Sequence, residues 1–350
     1  MTKQKKLIIL FTAVLVLLAG TVVFLWSKFG QRAGLYSCTN YAMNTYIQQN
    51  VYGANAKKAA TNAAASIGTL QNLITLQSDE SDTARLNAAA GSDWITINAK
   101  TAGLLRTVLG VASDSGGAYD PTILPVSALW DFGGDNQHVP SQADLAKYLP
   151  DVDYRNLRVS SSEDSASLRN HYMAVTLDAV CRGAACDEAV ASYRAAGAGY
   201  GIISVGTSVG TYGKKPDGSG WSIAVRDPSV TSESAPALGQ LSLPGGFVST
   251  AGVFENSFRK NGTLYYPILN SKTGFPQNSG LLSVTVVSPG GALSDALAYA
   301  CFVLGREKSA ALLQKYKAEA VFVDSNRHVF VTSGLKKEFT ITNSGYSLLA

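Results

Sequence analysis

The sequence predicts an α+β fold, in which mixed sheets pack against helices, placed behind a single N-terminal transmembrane helix. Segments with strand and helix patterns follow one another in mixed order along the 350 residues, which is typical of this fold class. Hydrophobic residues make up 46% of the chain and charged residues only 15%, which suits a packed globular body plus one apolar segment. Residues 7–26 are almost entirely apolar and carry no charge, and about twenty such residues span a bilayer core.

The apolar segment sets the expected location of the protein. Three lysines precede it, so we expect the N-terminus in the cytoplasm and the body outside, in a single-pass protein of the cell membrane. The chain then divides into an anchor with its linker, residues 1–35, and a body, residues 36–350. A cleaved signal peptide, giving a secreted protein, and a lipoprotein processed at Cys38 are the alternatives. The apolar run is long for a signal peptide, and Lys28 and Arg32 separate it from Cys38.

Net charge and cysteine spacing argue against two classes of site. The net charge is +4, and it falls close to zero without the basic residues that flank the apolar segment. No basic patch remains, so we expect no nucleic-acid partner. The four cysteines form no Cys-x-x-Cys pair and no cluster with histidine, which argues against a zinc site. We expect all four cysteines to be small, buried hydrophobic side chains.

Residue patterns predict the elements of the first half of the body. Alternating β-rich residues predict strands, Ala-rich sequence with helical spacing predicts helices, and polar sequence predicts loops. The predicted elements are, in order, a strand over 41–47, a helix over 54–76, a polar loop over 77–97 that ends in a short strand over 94–97, a helix over 99–113 closed by the Gly116-Gly117 turn, and a variable, turn-rich region over 131–170.

The second half alternates more strongly in β-branched and aromatic residues, with Gly, Lys, Pro and Asp in the turns between the strands. Lys260-Asn261-Gly262 is a hairpin signal. The predicted elements are, in order, a strand over 172–177, a helix over 187–196, strands over 201–205, 221–225, 247–250 and 264–266, a helix over 297–304, and strands over 320–323 and 328–332 that close the sheet.

The most informative stretch is residues 270–276, Asn-Ser-Lys-Thr-Gly-Phe-Pro. A β-branched strand over 283–287 follows it, and then Asp295 opens an apolar helix. This ordered series resembles the flavin transferase (ApbE) family, which moves FMN from FAD onto a threonine of a target protein. The resemblance spans about residues 36–345 and implies a body related to the T-fold, FAD as substrate, Mg²⁺ as cofactor, and an extracytoplasmic FMN-binding acceptor protein as partner.

The resemblance also implies a set of residues that bind FAD. In the run over 175–187, an ungapped alignment places Thr176 on the FAD-contacting Asp of the family, whereas a two-residue deletion places Asp178 there, and both registers stay open. Arg182 replaces the family's Lys and keeps a cation that can face a phosphate. The implied FAD-binding residues are Met43, Ala128, Leu129, Trp130, Thr176, Asp178, Arg182, Leu269 and Thr273.

The same resemblance implies catalytic and metal-binding positions, and several of them depart from the family. Asp120 and Arg182 are the implied catalytic residues. The implied Mg²⁺ ligands are the Ala179 carbonyl, Asp295 and Tyr299, where Tyr299 replaces a threonine. The departures with the largest chemical effect are Pro267, where the family has a histidine that carries the proton, Asn270 in place of an aspartate, and Val253 in place of an aspartate.

Two hypotheses follow from this mixture of retained and replaced residues. The first is a membrane-anchored flavin transferase that uses Mg²⁺ and acts on extracytoplasmic flavoproteins. The second is a catalytically degenerate flavin-nucleotide-binding or scaffold protein of the same fold. Loss of the histidine at position 267 favours the second, because a positioned proton acceptor contributes about 10²–10⁴-fold to rate. The breadth of the resemblance favours the first.

Overall fold

The computed structural model describes residues 34–162, 164–230 and 236–349. The predicted transmembrane segment, residues 7–26, lies outside these residues. Among the described residues, no helix is both long enough and apolar enough to cross a membrane.

Helices and strands are numbered in chain order within the described residues. The helices are α1 (Ala56–Ile74), α2 (Asp82–Ala88), α3 (Ala99–Asp114), α4 (Leu124–Ser127), α5 (Gln142–Tyr148), α6 (Cys181–Ala196), α7 (Gly291–Leu304) and α8 (Arg306–Lys315). The strands are β1 (Leu35–Ala42), β2 (Thr45–Tyr52), β3 (Ile95–Thr96), β4 (Leu157–Val159), β5 (Ser165–Leu168), β6 (Tyr200–Val205), β7 (Ser208–Tyr212), β8 (Trp221–Arg226), β9 (Ala237–Leu243), β10 (Phe247–Gly252), β11 (Phe258–Lys260), β12 (Thr263–Tyr265), β13 (Leu281–Ser288), β14 (Glu319–Asp324), β15 (His328–Val331), β16 (Phe339–Ile341) and β17 (Ser347–Leu349).

A nine-stranded sheet forms the centre of the body, with the strand order β1-β2-β6-β7-β10-β13-β14-β15-β17. Its neighbouring strands are antiparallel except β15 and β17, which are parallel. Helices α1, α6 and α7 pack on one face of this sheet, where they bury the main hydrophobic core. A three-stranded sheet, β16-β9-β8, packs on the other face through residues such as Leu241, Val248 and Val321. The predicted α+β class is therefore confirmed.

A two-residue hairpin turn at Met43 and Asn44 interrupts residues 41–47. The prediction of one continuous strand there is therefore wrong. Strands β1 and β2 pair in antiparallel fashion up to Ala42 and Thr45. Met43 and Asn44 between them have φ angles of 53° and 55°, which is the geometry of a type I′ turn and the one that matches the twist of two hairpin strands. Residue alternation continues on both sides of such a short turn, and the pattern therefore hid the reversal.

Two further predictions about the first half are wrong. The polar region 77–97 contains helix α2, whose first turn is capped by the Ser81 hydroxyl, which accepts a hydrogen bond from Ala84 N at 3.0 Å. Residues 172–177 are irregular and form only a single bridge, between Ala174 and Ile123. The strands of this region are β4 and β5, in the stretch predicted to be variable, and they pair with β3 in a separate small sheet.

The helices that carry the predicted site residues begin earlier than the sequence pattern predicts. Helix α6 begins at Cys181 rather than Asp187, and α7 begins at Gly291 rather than Leu297. Glycine lowers helix propensity by about 1 kcal/mol, and both first turns contain glycine, so the local pattern does not predict them. Tertiary contacts between the two helices stabilise these first turns.

The remaining predictions agree with the structure to within a few residues, and the hairpin at Asn261-Gly262 is present between β11 and β12. The elements that were not predicted also include strands β7, β9, β11, β16 and β17 and helices α4, α5 and α8. The four cysteines are free. Cys186 and Cys301 are buried, as predicted, whereas Cys38 and Cys181 are partly exposed, so the prediction of buried cysteines is wrong for these two.

Candidate active site

Three segments that carry predicted site residues meet on the helical face of the central sheet. These are the first turn of α6 with Arg182, helix α7 with Asp295 and Tyr299, and the loop over 266–277 with Leu269 and Thr273. The segment over 174–178 leads into α6 and is tied to the Asp120 loop, because Thr176 N donates to the Pro121 carbonyl at 2.9 Å. Met43 lies further away in the chain at the β1–β2 turn, where its N–H donates to Gln71 Oε1 on α1 at 2.6 Å.

The first turns of α6 and α7 cross with their backbones in contact. A Cβ atom built on Gly183 would overlap the carbonyl oxygen of Gly291, and a Cβ atom built on Gly291 would overlap the carbonyl oxygen of Gly183. A side chain at either position would therefore force the helices apart. This close approach requires two glycines, and it brings the N-terminus of each helix to the side of the other.

Each of these helices receives its cap from the other. Asp187 on α6 accepts hydrogen bonds from Gly291 N at 2.7 Å and Ala292 N at 2.8 Å, at the start of α7. Asp295 on α7 accepts a hydrogen bond from Gly183 N at 2.6 Å, in the first turn of α6. The residues that precede the two helices make no side-chain cap. The exchange of carboxylates therefore satisfies N–H groups that a helix leaves unpaired.

Asp295 is buried, and it has a second donor on the central sheet. The Ser208 hydroxyl on β7 donates to Asp295 Oδ1 at 2.7 Å. Burial raises the pKa of the Asp295 carboxyl to about 6, against the opposing effect of hydrogen bonds from serine hydroxyl groups and from Gly183 N–H. The group is therefore an ionised carboxylate at neutral pH, held between α6, α7 and β7.

Tyr299 lies one helical turn after Asp295 and points to a different segment. Its hydroxyl accepts a hydrogen bond from Leu269 N at 2.8 Å and donates to the Leu269 carbonyl at 3.2 Å. The Pro267 carbonyl is 3.5 Å from the same hydroxyl. The ring packs edge to face against Tyr119, with ring centres 5.5 Å apart. The residue in the implied metal position thus contacts the segment that holds the residue in the implied histidine position.

Arg182, the implied cation of the site, is partly buried and paired with Glu255. Its Nη1 lies 2.6 Å from Glu255 Oε1 and 3.4 Å from Thr207 Oγ1. About a quarter of the Arg182 side chain and 38% of the Glu255 side chain remain exposed. The guanidinium is therefore held in place at the N-terminus of α6 while one side of it still meets solvent.

Asp120 is buried, and its described contacts lie within the loops beside it. Its Oδ1 accepts from Thr122 N at 2.9 Å and from the Thr122 hydroxyl at 2.6 Å, and its Oδ2 accepts from Tyr154 N at 3.1 Å. Burial raises the pKa of the Asp120 carboxyl, although these three donors oppose the shift. The side chain organises the turn over 120–122, and its catalytic role stays a prediction.

Hydrogen bonds from three sides hold the loop over 266–277. Trp130 Nε1 donates to the Gly274 carbonyl at 2.9 Å, the Ser271 hydroxyl donates to the Gly117 carbonyl at 2.7 Å, and Tyr299 binds the backbone at Leu269. Trp130 is fully buried in an aromatic cluster with Phe132, Phe258, Tyr265 and Phe275. Trp130, which the resemblance implies as an FAD-binding residue, therefore holds this loop in place through its buried side chain.

The other implied FAD-binding residues differ in exposure. Ala128 and Thr273 are exposed, Leu129 is half-buried, and Leu269 is buried. Thr176 is buried and its hydroxyl accepts a hydrogen bond from Asp178 N at 3.2 Å. Asp178 and Ala179 are exposed in the turn that precedes α6. Both alternatives for the FAD-contacting position thus lie beside the α6 N-terminus.

Sequence reasoning gave no role to four residues that shape this site: Glu255, Ser208, Asp187 and Tyr119. Glu255 and Asp187 each end a run that resembles the family, over 248–255 and 175–187, and this was the available signal for their importance. Ser208 and Asp187 act on residues far away in the chain. The Tyr119 hydroxyl is buried and has no hydrogen-bond partner among the described residues, which no sequence pattern indicates.

A cavity of about 250 Å³ lies beside the same loop. Its lining includes the Gly116-Gly117 turn, Asn270, Lys272 and Lys308, and includes neither Arg182 nor Asp295.

Comparison with known proteins places this arrangement in a family. The ApbE family model matches residues 43–322. The chain is 28% identical over 331 residues to a FAD:protein FMN transferase of Treponema pallidum, covering 89% of this chain and 91% of the relative. It is 26% identical over 316 residues to a FAD:protein FMN transferase of Klebsiella pneumoniae, covering 90% of this chain and 97% of the relative.

Solved structures show the same fold. The ApbE protein of Thermotoga maritima superposes with a TM-score of 0.80 at 23% identity, covering 87% of this chain and 99% of that one. The apo flavinyl transferase ApbE of Pseudomonas stutzeri gives a TM-score of 0.76 at 24% identity, covering 87% of this chain and 97% of that one. Since the family model matches most of the body and the relatives are covered almost end to end, this chain belongs to the ApbE family.

Proposed function

We propose that this protein transfers FMN from FAD to a threonine of an extracytoplasmic flavoprotein. The observation that carries the proposal is the crossing of α6 and α7, which sets the Arg182 guanidinium at the first turn of α6 within a chain of the ApbE family. A guanidinium and the first turn of a helix both favour phosphate oxygens. The relatives named FAD:protein FMN transferase support transfer as the reaction.

The proposed reaction exchanges the phosphoanhydride bond of the FAD pyrophosphate for a phosphoester bond to the acceptor threonine. The acceptor hydroxyl oxygen forms a bond to the phosphorus that carries FMN, the bond from this phosphorus to the bridging oxygen breaks, and AMP leaves with that oxygen. Arg182 offsets negative charge on the pyrophosphate as AMP departs, which is the main protein contribution in such transfers. The paired Glu255 keeps the guanidinium oriented before FAD arrives.

The hydroxyl proton must leave by a route other than a histidine at position 267, which is proline. The three histidines of the chain lie elsewhere: His138 binds the Asn136 carbonyl, His328 binds Asp324, and His171 packs against Gly91. The proton therefore passes to a carboxylate or to solvent. We expect a slower reaction than with a positioned histidine, by a factor of about 10²–10⁴.

The implied Mg²⁺ needs several oxygen ligands, and the described residues supply few. Asp295 is the one implied carboxylate, and both of its oxygens already accept hydrogen bonds from Gly183 and Ser208. The Tyr299 oxygen is a neutral phenol bonded to the Leu269 backbone. Among the described residues, no group of three His, Cys, Asp or Glu side chains is placed to hold a metal ion. The residues do not fit an ion held by the protein alone. Mg²⁺ enters the proposal only as an ion brought by the FAD pyrophosphate, and no step depends on it.

The second candidate function is a flavin-nucleotide-binding or scaffold protein that has lost transfer. Three residues favour this second candidate. Pro267 and Asn270 cannot ionise, and the Tyr299 hydroxyl is hydrogen-bonded to the Leu269 backbone. The fold and the cation at Arg182 are compatible with both candidates. Covalent transfer separates them.

The test is a transfer assay with the full chain in detergent, FAD, Mg²⁺ and an acceptor domain that carries a target threonine. Mass spectrometry of the acceptor reports covalently added FMN. A mass gain supports the transferase, and Pro267→His is then expected to raise the rate. An acceptor with the threonine changed to alanine is the matched control.

The other outcomes are equally informative. If no FMN is added but the chain quenches FAD fluorescence, and Pro267→His gains transfer, the degenerate flavin binder is the correct description. If neither transfer nor FAD binding occurs, both candidate functions are withdrawn and only the fold remains.

We also propose that residues 7–26 anchor the body to the outer side of the cell membrane. The apolar length of this segment and the lysines before it support the proposal. The body is expected in the membrane fraction after an alkaline carbonate wash and open to protease from outside. Release by the wash would favour a cleaved signal peptide, and lipid attached at Cys38 would favour a lipoprotein.

A further inference from the structure

We propose that Tyr299 keeps the protein free of a bound divalent cation in the absence of FAD. Its ring packs against Tyr119, its phenol oxygen is hydrogen-bonded to residues 267–269, and Asp295 remains a helix cap. This role of Tyr299 rests on the proposed function, which it deepens. The positive charge beside the first turn of α6 is then the Arg182 guanidinium.

The side chains of Asp295 and Tyr299 contact different parts of the structure. Residues four apart on a helix lie on the same face, so the side chains at 295 and 299 start as neighbours. The structure then sends them to different partners: Asp295 contacts α6 and β7, whereas the Tyr299 hydroxyl contacts the backbone at Leu269. The carboxylate and the hydroxyl therefore do not converge on one point, as two ligands of one cation would have to.

The Tyr299 oxygen already takes part in two hydrogen bonds. A tyrosine hydroxyl has one proton and two lone pairs. It accepts the Leu269 N–H at 2.8 Å and donates its proton to the Leu269 carbonyl at 3.2 Å. A tyrosine hydroxyl has an ordinary pKa of about 10 and is neutral at physiological pH. A neutral phenol that is already used twice is a poor ligand for a hard cation, which prefers carboxylate, carbonyl and water oxygens.

The ring of Tyr119 lies beside the Tyr299 phenol. The Tyr119 ring packs edge to face on the Tyr299 ring at 5.5 Å, and Tyr119 is almost fully buried. Hard cations keep several water ligands, and a hydrated ion has no place inside an aromatic pair. The two rings thus fill the interior on the α7 side of the loop over 266–277.

Cation binding in the absence of FAD tests the inference without any use of transfer activity. Mn²⁺ is the probe, and the electron paramagnetic resonance signal of free Mn²⁺ is followed while the full chain in detergent is added. The wild-type protein and Tyr299→Phe, which keeps the ring and removes the hydroxyl, are expected to leave the signal unchanged. Tyr299→Thr removes the ring and supplies a short hydroxyl beside Asp295. This variant is expected to bind Mn²⁺ at least about tenfold more tightly than the wild-type protein does.

The double variant Tyr299→Thr with Asp295→Asn is the matched control and is expected to lose the gained binding. Circular dichroism establishes that each variant is folded. Mn²⁺ binding by the wild-type protein that disappears in Asp295→Asn would overturn the inference, and this comparison needs no variant at position 299. A folded Tyr299→Thr variant that binds no Mn²⁺ would overturn it as well. Both results leave the transfer assay free to succeed or fail independently.

Discussion

Arg182 is held in place before any ligand is present. Glu255 and Thr207 contact its guanidinium at 2.6 Å and 3.4 Å, so FAD binding need not order a long flexible side chain, which would cost about 1.5–2 kcal/mol. Arginine also presents several N–H groups in a fixed plane, whereas lysine presents one compact charge. If Arg182 takes the place of the family's lysine, as the resemblance implies, we expect it to keep the charge and to contact a phosphate with a different geometry.

Substitution of Arg182 measures this contribution. Arg182→Gln is expected to weaken FAD binding by roughly tenfold or more, since a hydrogen bond to a charged group contributes about 1.5–3 kcal/mol. Arg182→Lys, the matched control, keeps the charge and is expected to lose less. Quenching of FAD fluorescence gives both affinities, and the wild-type affinity is expected to fall with added salt more steeply than that of Arg182→Gln. Equal FAD affinity in wild type and Arg182→Gln would remove Arg182 from the binding site.

At the scale of elements, the site depends on the contact between α6 and α7. Gly183 and Gly291 let the two backbones touch, and Asp187 and Asp295 then reach the first turn of the opposite helix. Helix caps of this kind contribute about 0.5–2 kcal/mol each. The same crossing fixes the position of Arg182, so the stability of these two helices and the geometry of the site have a common origin.

A pair of alanine substitutions separates this contact from ordinary helix propensity. Gly183→Ala places a methyl group against the Gly291 carbonyl, so it is expected to lower the free energy of unfolding by roughly 3 kcal/mol or more. Gly68→Ala in α1 meets no atom within 4 Å and is expected to raise it by about 0.5–1 kcal/mol. Denaturant unfolding of the two variants gives both values. A stabilised Gly183→Ala variant would show that the helices do not touch as described.

At the scale of the whole molecule, the body is packed on both faces of the central sheet, with one hydrophobic cluster on each face and a third around Trp130. The main hydrophobic cluster includes residues from β2, α1, α3, α6, β13 and α7, and the second sheet closes the far side of the central sheet. A ligand that binds the folded body therefore stabilises one cooperative unit. Loss of individual catalytic side chains leaves this architecture unchanged, because the core does not depend on them.

FAD is expected to raise the melting temperature of the body. A ligand at one hundred times its dissociation constant adds about 2.7 kcal/mol to stability, which corresponds to a shift of several degrees in a domain of this size. Differential scanning calorimetry with and without FAD measures the shift, and it should shrink in Arg182→Gln. No shift at millimolar FAD would count against both candidate functions, since each of them binds the nucleotide.

The sequence identified much of the fold from local patterns. About half of the helices and strands were predicted near their positions, and the Thr-Gly-Phe-Pro stretch with Asp295 after it was enough to recognise the family. These features depend on neighbours within a turn or two, so periodicity and turn residues contain the information. The Met43-Asn44 reversal and helix α2 were missed because a two-residue turn and a short polar helix leave little periodicity.

Sequence patterns were sufficient for the family and the α+β class, whereas the roles of Pro267 and Tyr299 as replacements of family residues stay predictions. The contacts that Asp187 and Tyr299 make depend on the tertiary structure. Asp187 caps a helix 104 residues further along the chain, and Tyr299 bonds to a backbone 30 residues before it. Such partners are selected by the packing of α6, α7 and the loop over 266–277 against one sheet. A local pattern carries no record of which distant donor or acceptor a buried side chain will meet.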